Sequence, residues 1–466
     1  MIPRYKYPIL LSLMLVASAC ASGGGGSAVI GGSAGGERPR QTENTRTAQR
    51  LLDQAEDAQD QGAAQDYYQQ AFEAAGLAIA EDGRNPLGHR QAALAAVGLR
   101  DFEMAGMHFD HAGELWPVYG LEDQGLREQL WIQLYNEAAP LLSSGDYEQA
   151  ASVFEDAHAI YKQRPEVMVR LAQIYGQISE ADRSIELIAE AQAFTVTEDY
   201  MNADSTMQAG WDELIADLPV LRAQVLATAG RNEEAVEAYQ ALIAEDPGNK
   251  TVILNLAGLL IEIDNDAEAF RLYDELMASD TELESLDFYR MGVGYYNGDD
   301  NAGAIEAFGR TVEMNPFDRD ALEMLSRTLA TDSLYEQVIP AVERWLELDP
   351  ESAVALLIRA QSLNALDMVD QLRAAADRMQ EQPFDVADLR LTRYSDGGAR
   401  VAGSVGNRSM NQGDTVTLIF TFYGEDGGVL GEVEEMVQLA AVERRSTFIF
   451  EFDSADQVAG YGYRIG

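Results

Sequence analysis

The chain has 466 residues, with 78 Asp and Glu against 33 Lys and Arg and a formal net charge of −45. A single hydrophobic core rarely grows to this length, whereas a repeat solenoid can, because each unit packs only against its neighbours. Binding to nucleic acid or to anionic lipid requires clustered Lys and Arg, so the charge argues against both. Adaptation to salt or a codon bias explains the acidity better than a specific basic partner does.

The first twenty residues have the pattern of an export signal. Arg4 and Lys6 precede a short apolar run at residues 9–16, and small residues then lead to Cys20, the only cysteine. The run is too short to span a bilayer. One cysteine excludes an intramolecular disulfide and a Cys-based metal site.

The segment Val-Ala-Ser-Ala-Cys at residues 16–20 resembles a bacterial lipobox. The resemblance implies removal of residues 1–19 as a lipoprotein signal peptide, lipidation of Cys20 and export to the cell envelope. Because Ala21 is not an aspartate, it further implies an anchor in the outer membrane, facing the periplasm. The alternative is an ordinary signal peptide with an incidental cysteine. Residues 20–44, which are rich in Gly and Ser, are expected to form a flexible tether.

A small or apolar residue recurs through the middle of the chain, most often at intervals of 34 positions, as between Ala235 and Ala269. The series is Ala71, Ala105, Ala150, Ser184, Ala235, Ala269, Ala304, Val338 and Leu372. A large or apolar residue usually follows four positions later, as Phe154 follows Ala150. This pattern is typical of a helix-turn-helix repeat, in which small residues lie where helices cross and large ones fill the space to the next unit.

The units resemble the tetratricopeptide repeat (TPR) family. The resemblance is carried by pairs such as Leu256-Ala257 and Met291-Gly292, by Gly or Asp turns such as Gly145 and Asp299, and by a closing proline such as Pro247. It implies an α-α superhelical solenoid that holds a protein or peptide in its groove. We expect about nine repeats over residues 45–383, with insertions near residues 119–130 and 192–215, as loops or extra helix on one face.

After Pro383 the period changes to two, as in Val416, Leu418, Phe420 and Phe422. Six or seven such segments separated by Gly, Asp and Asn predict a small antiparallel β-sandwich over residues 384–466. The stretches at residues 401–407, 420–423 and 426–427 resemble the FxLYD-type, immunoglobulin-like domains of prokaryotic envelope proteins. The predicted fold class is therefore mostly α, a TPR solenoid followed by a β-sandwich.

No motif for catalysis or phosphate binding occurs in the sequence, and we predict no catalytic residue, metal or cofactor. His108 and His111 lie three apart on a helix, so a metal pair is conceivable, but without an evident third ligand solvated surface histidines are favoured. Residues 297–303 have some features of a calcium loop. Their glycine and glutamate fall out of register, which favours turn and N-cap chemistry.

The first helix of each repeat is expected to line the concave groove. The candidate contacts there are Arg90, Tyr135, Tyr289, Tyr296, Asn297, Arg327 and Asn364. Tyr and Arg at such places favour peptide binding, although solvated surface side chains are the alternative. The basic clamp that some family members use for a peptide carboxylate is not expected in a chain with three lysines.

The predicted function is a non-enzymatic, lipid-anchored scaffold that assembles or tethers a periplasmic or outer-membrane complex through protein–protein contacts. The oligomeric state stays open. One alternative is glycan or peptidoglycan binding by the sandwich, which has no Trp and four tyrosines: Tyr394, Tyr423, Tyr461 and Tyr463. Another is an enzyme site in the insertion at residues 192–215, which contains no histidine.

Overall fold

The computed structural model describes residues 36–395 and 397–466. The predicted signal peptide, Cys20 and most of the predicted tether lie outside the described residues. The described chain divides into two compact units, residues 36–245 and residues 246–466.

The first unit is helical. Its helices are α1 (Glu43–Glu56), α2 (Gln61–Glu81), α3 (Pro86–Gly98), α4 (Phe102–Leu115), α5 (Pro117–Ser143), α6 (Tyr147–Ile160), α7 (Glu166–Gln177), α8 (Ala181–Ala193), α9 (Glu198–Asn202), α10 (Ser205–Ala216), α11 (Leu218–Thr228) and α12 (Asn232–Glu245), with a 3-10 turn at Phe194–Val196. Helices α1 to α8 form four successive pairs, and α11 with α12 forms a fifth.

The second unit contains four further helical pairs and all six described strands. The helices are α13 (Lys250–Glu262), α14 (Asp266–Ala278), α15 (Ser285–Asn297), α16 (Asn301–Met314), α17 (Arg319–Thr331), α18 (Tyr335–Leu348), α19 (Ala353–Ala365) and α20 (Val369–Glu381). The strands are β1 (Phe384–Arg393), β2 (Ala399–Asn407), β3 (Thr415–Gly424), β4 (Val429–Gln438), β5 (Arg445–Phe452) and β6 (Val458–Ile465).

The first helix ends in the same C-terminal motif in eight of the nine helical pairs of the described chain. A residue with a left-handed backbone ends the helix, and the next N–H returns to a carbonyl five positions back. In one pair, Gly145 has φ 78° and the Asp146 N–H donates to Leu141 O at 2.9 Å. In another, Asp299 has φ 63° and the Asp300 N–H donates to Tyr295 O at 2.9 Å. The predicted Gly or Asp turns are thereby confirmed.

The recurring residue marks the helix crossings as predicted. Ala71, Ala105, Ala150, Ser184, Ala235, Ala269, Ala304 and Val338 are all fully buried. The residue four positions later is buried as well, as at Phe154 and Phe308. Leu372 on α20 is the exception, since it is only half-buried and Ala375 is the buried residue of that helix.

Both insertions are helical. The first is absorbed into α5, which extends over 27 residues. The second insertion forms the 3-10 turn, α9 and α10. The Phe194 ring of the turn packs against the Trp211 ring of α10, with ring centroids 5.1 Å apart. The first helical pair also differs from the other pairs in the lengths of its helices. It begins at Glu43, and its second helix, α2, continues for 21 residues.

The strands form the predicted antiparallel sandwich of two three-stranded sheets. Their orders are β1-β2-β5 and β4-β3-β6. The alternating residues Leu418, Phe420 and Phe422 are fully buried in its core, where the Phe422 ring stacks on Phe452 at 4.2 Å. Within the second unit, β6 packs on α17 and α18, and β1 packs on α19. The fold class predicted from the sequence is confirmed.

Candidate functional site

The first helices of the first two pairs, α1 and α3, border an open depression of about 260 Å³. Its lining residues are Gln41, Thr45, Arg46, Gln49, Arg50, Asp53, Leu87 and Gln91. A second depression of about 240 Å³ is lined by Glu43, Arg46, Thr47 and Arg50. Arg46 and Arg50 line both depressions, and we refer to the two together as the α1–α3 groove.

Helix α1 presents two arginines to this groove because its apolar residues face the other way. Leu51 and Leu52 are buried in the core with residues of α2 and α3. Arg46 and Arg50, one turn apart, are exposed. Neither guanidinium has a hydrogen bond or ion pair with another residue of the described chain. The groove has two carboxylates of its own, Glu43 and Asp53, and Asp53 accepts a hydrogen bond from the Gln49 amide at 2.8 Å.

Gln91 of α3 supplies a buried acceptor to the same groove. Its side chain is only 2 % exposed, and Nε2 donates to Thr45 O at 2.9 Å and to Gln49 Oε1 at 3.3 Å. Because both neighbours are acceptors, they orient the amide and leave Oε1 as the free end. Oε1 is buried and has no hydrogen-bond partner among the described residues. A buried carbonyl without a partner is unfavourable unless a ligand or water supplies a donor.

Sequence reasoning missed these residues because it looked for lysines. The available signal was two arginines four positions apart on the first helix of the series. The unpaired state of the arginines and the open Gln91 acceptor depend on how α1 lies against α3, which periodicity does not encode.

The seven groove contacts predicted from the sequence divide between the two units, with Arg90 and Tyr135 in the first and the other five in the second. Arg90, on α3, is already engaged by α5. Its Nη2 donates to Asp123 Oδ1 at 2.7 Å, its Nη1 to Glu122 at 3.0 Å, and it lies 4.5 Å from the Tyr119 ring centroid. Arg90 therefore connects α3 and α5, the first helices of two successive pairs, through ion pairs.

Tyr135, on α5, is half-buried and packs against the core of the first unit. Its ring stacks on Trp131 at 5.2 Å and meets Phe154 edge-on at 5.4 Å. In the second unit, Tyr289 and Tyr296 are both half-buried, and the Tyr289 ring lies 5.7 Å from Phe308.

The remaining three predicted contacts are also in the second unit. Asn297 and Asn364 are exposed at the ends of α15 and α19. Arg327 is bound by Glu323 of its own helix, at 2.7 Å. A role in partner binding stays a prediction for all seven residues.

The histidines are packed more closely than expected. His89 of α3 is 7 % exposed, and its Nδ1 lies 3.2 Å from Nδ1 of His108 on α4. The His89 Nε2–H donates to Gly83 O at 3.2 Å, and the His111 ring lies 4.5 Å from that of His89. His111 is exposed as predicted, but His108 is half-buried because His89, nineteen positions away, packs against it.

Burial lowers the pKa of His89 and His108 below the ordinary value of 6.5, and the neighbouring imidazoles lower both further. His89 is thus the third imidazole that the sequence did not reveal. Nonetheless, the described residues include no group of three His, Cys, Asp or Glu side chains arranged to hold a metal ion. The turn at residues 297–303 has the predicted capping role, because Asp300 accepts from the N–H groups of Ala302 and Gly303 at 3.1 Å.

A buried charged network joins the sandwich to the helices of the second unit. Arg319 Nε donates to Asp349 Oδ2 at 2.9 Å, and the Tyr463 hydroxyl donates to Asp349 Oδ1 at 2.7 Å. The same hydroxyl accepts from the Glu351 N–H at 3.1 Å. Burial raises the pKa of Asp349, while the contacts with Arg319 and Tyr463 act in the opposite direction. The network therefore has a structural role.

The sandwich tyrosines do not form an exposed platform. Tyr461 and Tyr463 are buried, and Tyr423 stacks on Phe317 at 4.0 Å with an interplanar angle of 12°. Tyr394 is half-buried and donates to Glu451 at 3.2 Å. Stacked aromatic recognition of a glycan would require faces that these tyrosines do not offer.

Comparison with known families identifies the helical pairs. One tetratricopeptide repeat model matches residues 141–202 and 226–285, and a second matches residues 289–353. These segments are therefore tetratricopeptide repeats, as their motifs indicated. Within the described chain, no helix is both long and apolar enough to cross a membrane.

Several solved structures of tetratricopeptide repeat proteins are similar to parts of this chain at low identity. The C-terminal part of a TPR repeat-containing protein from Cytophaga hutchinsonii is 18 % identical, with 53 % of this chain and 93 % of that chain covered and a TM-score of 0.40. A tetratricopeptide repeat protein from Parabacteroides merdae is 14 % identical, with coverages of 61 % and 99 % and a TM-score of 0.31. Pseudomonas aeruginosa pilF is 16 % identical, with coverages of 55 % and 92 % and a TM-score of 0.29. No curated protein sequence matches the chain.

Proposed function

We propose that this protein is a non-enzymatic scaffold of the bacterial cell envelope, which holds a partner protein on the first helices of its repeats. One observation carries the proposal: eight of the nine helical pairs of the described chain repeat the same buried frame, with residues such as Ala150 and Ala304 fully buried. Such a frame stabilises the stack and leaves the outward residues of the first helices free to differ from repeat to repeat. Tetratricopeptide repeats generally mediate protein–protein contacts, which supports this function.

Site-specific photo-cross-linking in the native organism tests the scaffold. A photoreactive residue is placed at Asn297 or Asn364, exposed on first helices, and for comparison at Arg310 or Arg373, exposed on the second helices α16 and α20. We expect the first-helix positions to capture one common partner, identified by mass spectrometry. The second-helix positions should not capture it. Capture of the same abundant proteins from all four positions would contradict the proposal.

We further propose that a lipid on Cys20 anchors the protein, most simply in the outer membrane. The tether would be the Gly- and Ser-rich part of residues 20–44, up to residue 36, because Glu37 and Arg40 already bond to Leu115 and Asn85 and α1 begins at Glu43. The support is the segment at residues 16–20, which ends at the only cysteine of the chain. Metabolic labelling with a radioactive fatty acid should mark the wild-type protein but not Cys20→Ala. The variant should also move from the membrane to the soluble fraction. Equal labelling of the two proteins would exclude lipidation at Cys20.

A further inference from the structure

We propose that the free edge of β5 pairs with β5 of a second copy of this chain, so that two three-stranded sheets join into one six-stranded antiparallel sheet. This interface goes beyond the proposed scaffold function, because it belongs to the sandwich and not to the first helices of the repeats. The oligomeric state of the purified chain tests it whether or not a partner protein is held elsewhere.

The two sheets of the sandwich have four edge strands, and three of these edges are covered or charged. β1 packs on α19, where the Val386 N–H donates to Glu351 O at 3.3 Å, and β6 packs on α17 and α18. β4 carries Glu432, Glu434 and Glu435, and charged side chains on an edge strand oppose pairing with another strand. The fourth edge, that of β5, is therefore the one open to a further strand.

β5 has no such protection at residues 446–450, Ser-Thr-Phe-Ile-Phe. One side of the strand pairs with β2, and alternate residues of an antiparallel ladder direct their N–H and C=O groups to the other side. Within the described residues, no backbone group of residues 446–450 bonds to a backbone group outside β2. The Ala440 N–H reaches only the Ser446 hydroxyl, at 2.9 Å, while Thr447 and Ile449 are exposed. A free edge of β-branched and aromatic residues without Lys or Pro is a template for another strand.

The charges of β5 favour a second copy as the partner strand. The strand has two charged residues, Arg445 and Glu451, which lie three positions on either side of Phe448. When two β5 strands pair antiparallel with Phe448 opposite Phe448, Arg445 of each chain lies opposite Glu451 of the other. Opposite charges at directly opposed positions stabilise a strand pair, and β5 is therefore complementary to itself.

The same register matches the faces of the two sheets. Thr447 lies opposite Ile449 on the outer face, and the apolar inner face continues from one sheet to the next. Arg445 already binds Asp385 at 2.7 Å, and the neighbouring Arg400 binds Glu451 of the same chain at 2.9 Å. The pairing adds to these contacts and requires neither to break.

Sedimentation equilibrium of the mature chain with Cys20→Ser tests the interface, at ionic strengths of about 0.01 M and about 0.5 M. One pair of strands buries much less than the about 1,600 Å² of a standard interface, and two chains of formal net charge −45 repel each other. We therefore expect a weak association, in which the average mass rises with concentration toward that of two chains in high salt and rises less in low salt. A chain that stays monomeric in high salt would overturn the proposal.

Two lysine variants assign the association to β5. Ile449→Lys should weaken it at least about tenfold, because a lysine on an edge strand opposes pairing. The control, Met436→Lys, adds the same charge at an exposed side chain of β4 and should leave the association unchanged. Circular dichroism shows whether each variant keeps the fold. Equal effects of the two lysines would overturn the assignment to β5.

Disulfide trapping tests the register. A chain with Thr447→Cys and a chain with Ile449→Cys, both carrying Cys20→Ser, are mixed and oxidised. Opposed residues of an antiparallel pair have Cβ atoms about 4.5–5.5 Å apart, so the mixture should form covalent dimers and neither chain should do so alone. Dimers from Ile449→Cys alone would show a different register and contradict the pairing of Arg445 with Glu451.

A photoreactive residue at Thr447 in the native organism identifies what covers the edge. We expect a cross-linked product that contains two copies of this chain. A product with a different protein would assign the edge to that protein and overturn the second copy as its occupant. Because the scaffold function is tested at Asn297 and Asn364, on other elements, the two proposals can fail separately.

Discussion

Asp349 links the sandwich to the helices of its unit through a buried polar network. Its side chain is 1 % exposed, and it accepts from Arg319 and Tyr463, which lie 30 and 114 positions away along the chain. A buried ion pair contributes little net stability when intact, but loss of one partner leaves the other charge without compensation. Substitution of Asp349 should therefore lower the free energy of unfolding by more than the two hydrogen-bond distances alone suggest.

We predict that Asp349→Asn lowers the free energy of unfolding of residues 246–466 by about 1.5–3 kcal/mol, because the Arg319 Nε–H loses its buried charged acceptor and the guanidinium keeps only Asp320 and Glu323. Hydrogen exchange resolved to α17, α18 and β6 measures the loss. The control is Arg359→Gln, which removes a partly exposed partner of Glu343 and should cost less than about 1 kcal/mol. Similar losses in the two variants would show that the network is not coupled to folding.

The paired histidines predict a dependence of stability on pH in the first unit. Because the pKa of His89 and His108 is lowered in the folded state, the unfolded chain binds more protons as the pH falls below the ordinary value of 6.5. The helices α3 and α4 should therefore lose stability between neutral pH and the lowered pKa values, and His108→Leu should reduce that loss. Hydrogen exchange across this range is the measurement. Residues 246–466 contain no histidine and serve as the internal control. A profile for α3 and α4 that His108→Leu leaves unchanged would rule out this role of the histidines.

At the level of single residues, the sequence predicted burial better than it predicted polar contacts. The recurring alanines and the aromatic residues four positions later were placed correctly, because helical periodicity alone assigns them to a face. Arg90 was placed on a first helix, but its contacts with Asp123 and Tyr119 depend on how two helices lie side by side. The contacts of Gln91, its neighbour in sequence, with Thr45 and Gln49 of α1 depend on the same placement of helices.

At the level of elements, close helix crossings limit which residues are tolerated. Gly106 of α4 lies against α6 so closely that an added Cβ would be 1.9 Å from Ala159 O. Gly125 of α5, in contrast, has nothing within 4 Å of the corresponding position. The same substitution should therefore have opposite effects at the two sites.

We predict that Gly106→Ala destabilises the first unit by about 1–3 kcal/mol, because backbone atoms of α6 must move away. Gly125→Ala should stabilise it by about 0.5–1 kcal/mol, through the lower conformational entropy of alanine in the unfolded chain. Denaturant midpoints of both variants against wild type provide the measurement. A gain in stability for Gly106→Ala would mean that α4 and α6 are less closely packed than described.

Element boundaries were predicted well where the repeat was regular. The pairs from α13 to α18 follow the expected register, and the strands follow the alternation of period two. The first pair and α5 deviate because a helix continues until a cap, a proline or a left-handed residue ends it. Residues 117–143 contain no such ending before Ser144, since Pro140 lies inside the helix near its last turn. The insertion therefore became extra helix, which is one of the two forms expected for it.

At the scale of the whole molecule, the net charge of −45 predicts self-repulsion in the folded state. Raising the ionic strength from about 0.01 M to about 0.5 M shortens the screening length from about 30 Å to less than about 10 Å. We predict that the thermal midpoint rises over this range, measured by circular dichroism. Sodium chloride and choline chloride at equal ionic strength should give the same rise if screening is the cause. A midpoint that is constant or falls would show that repulsion contributes little.

The sequence by itself was sufficient for the repeat frame, the change of period at Pro383 and the fold class, because each is a local pattern of side chains along one helix or strand. The tertiary structure alone decided which polar groups meet. His89 faces His108, Asp349 joins Arg319 to Tyr463, and Gln91 of α3 donates to Thr45 and Gln49 of α1. These contacts depend on how separate helices and strands are placed against each other, and hydrophobic periodicity is the same whichever polar side chains come to face one another.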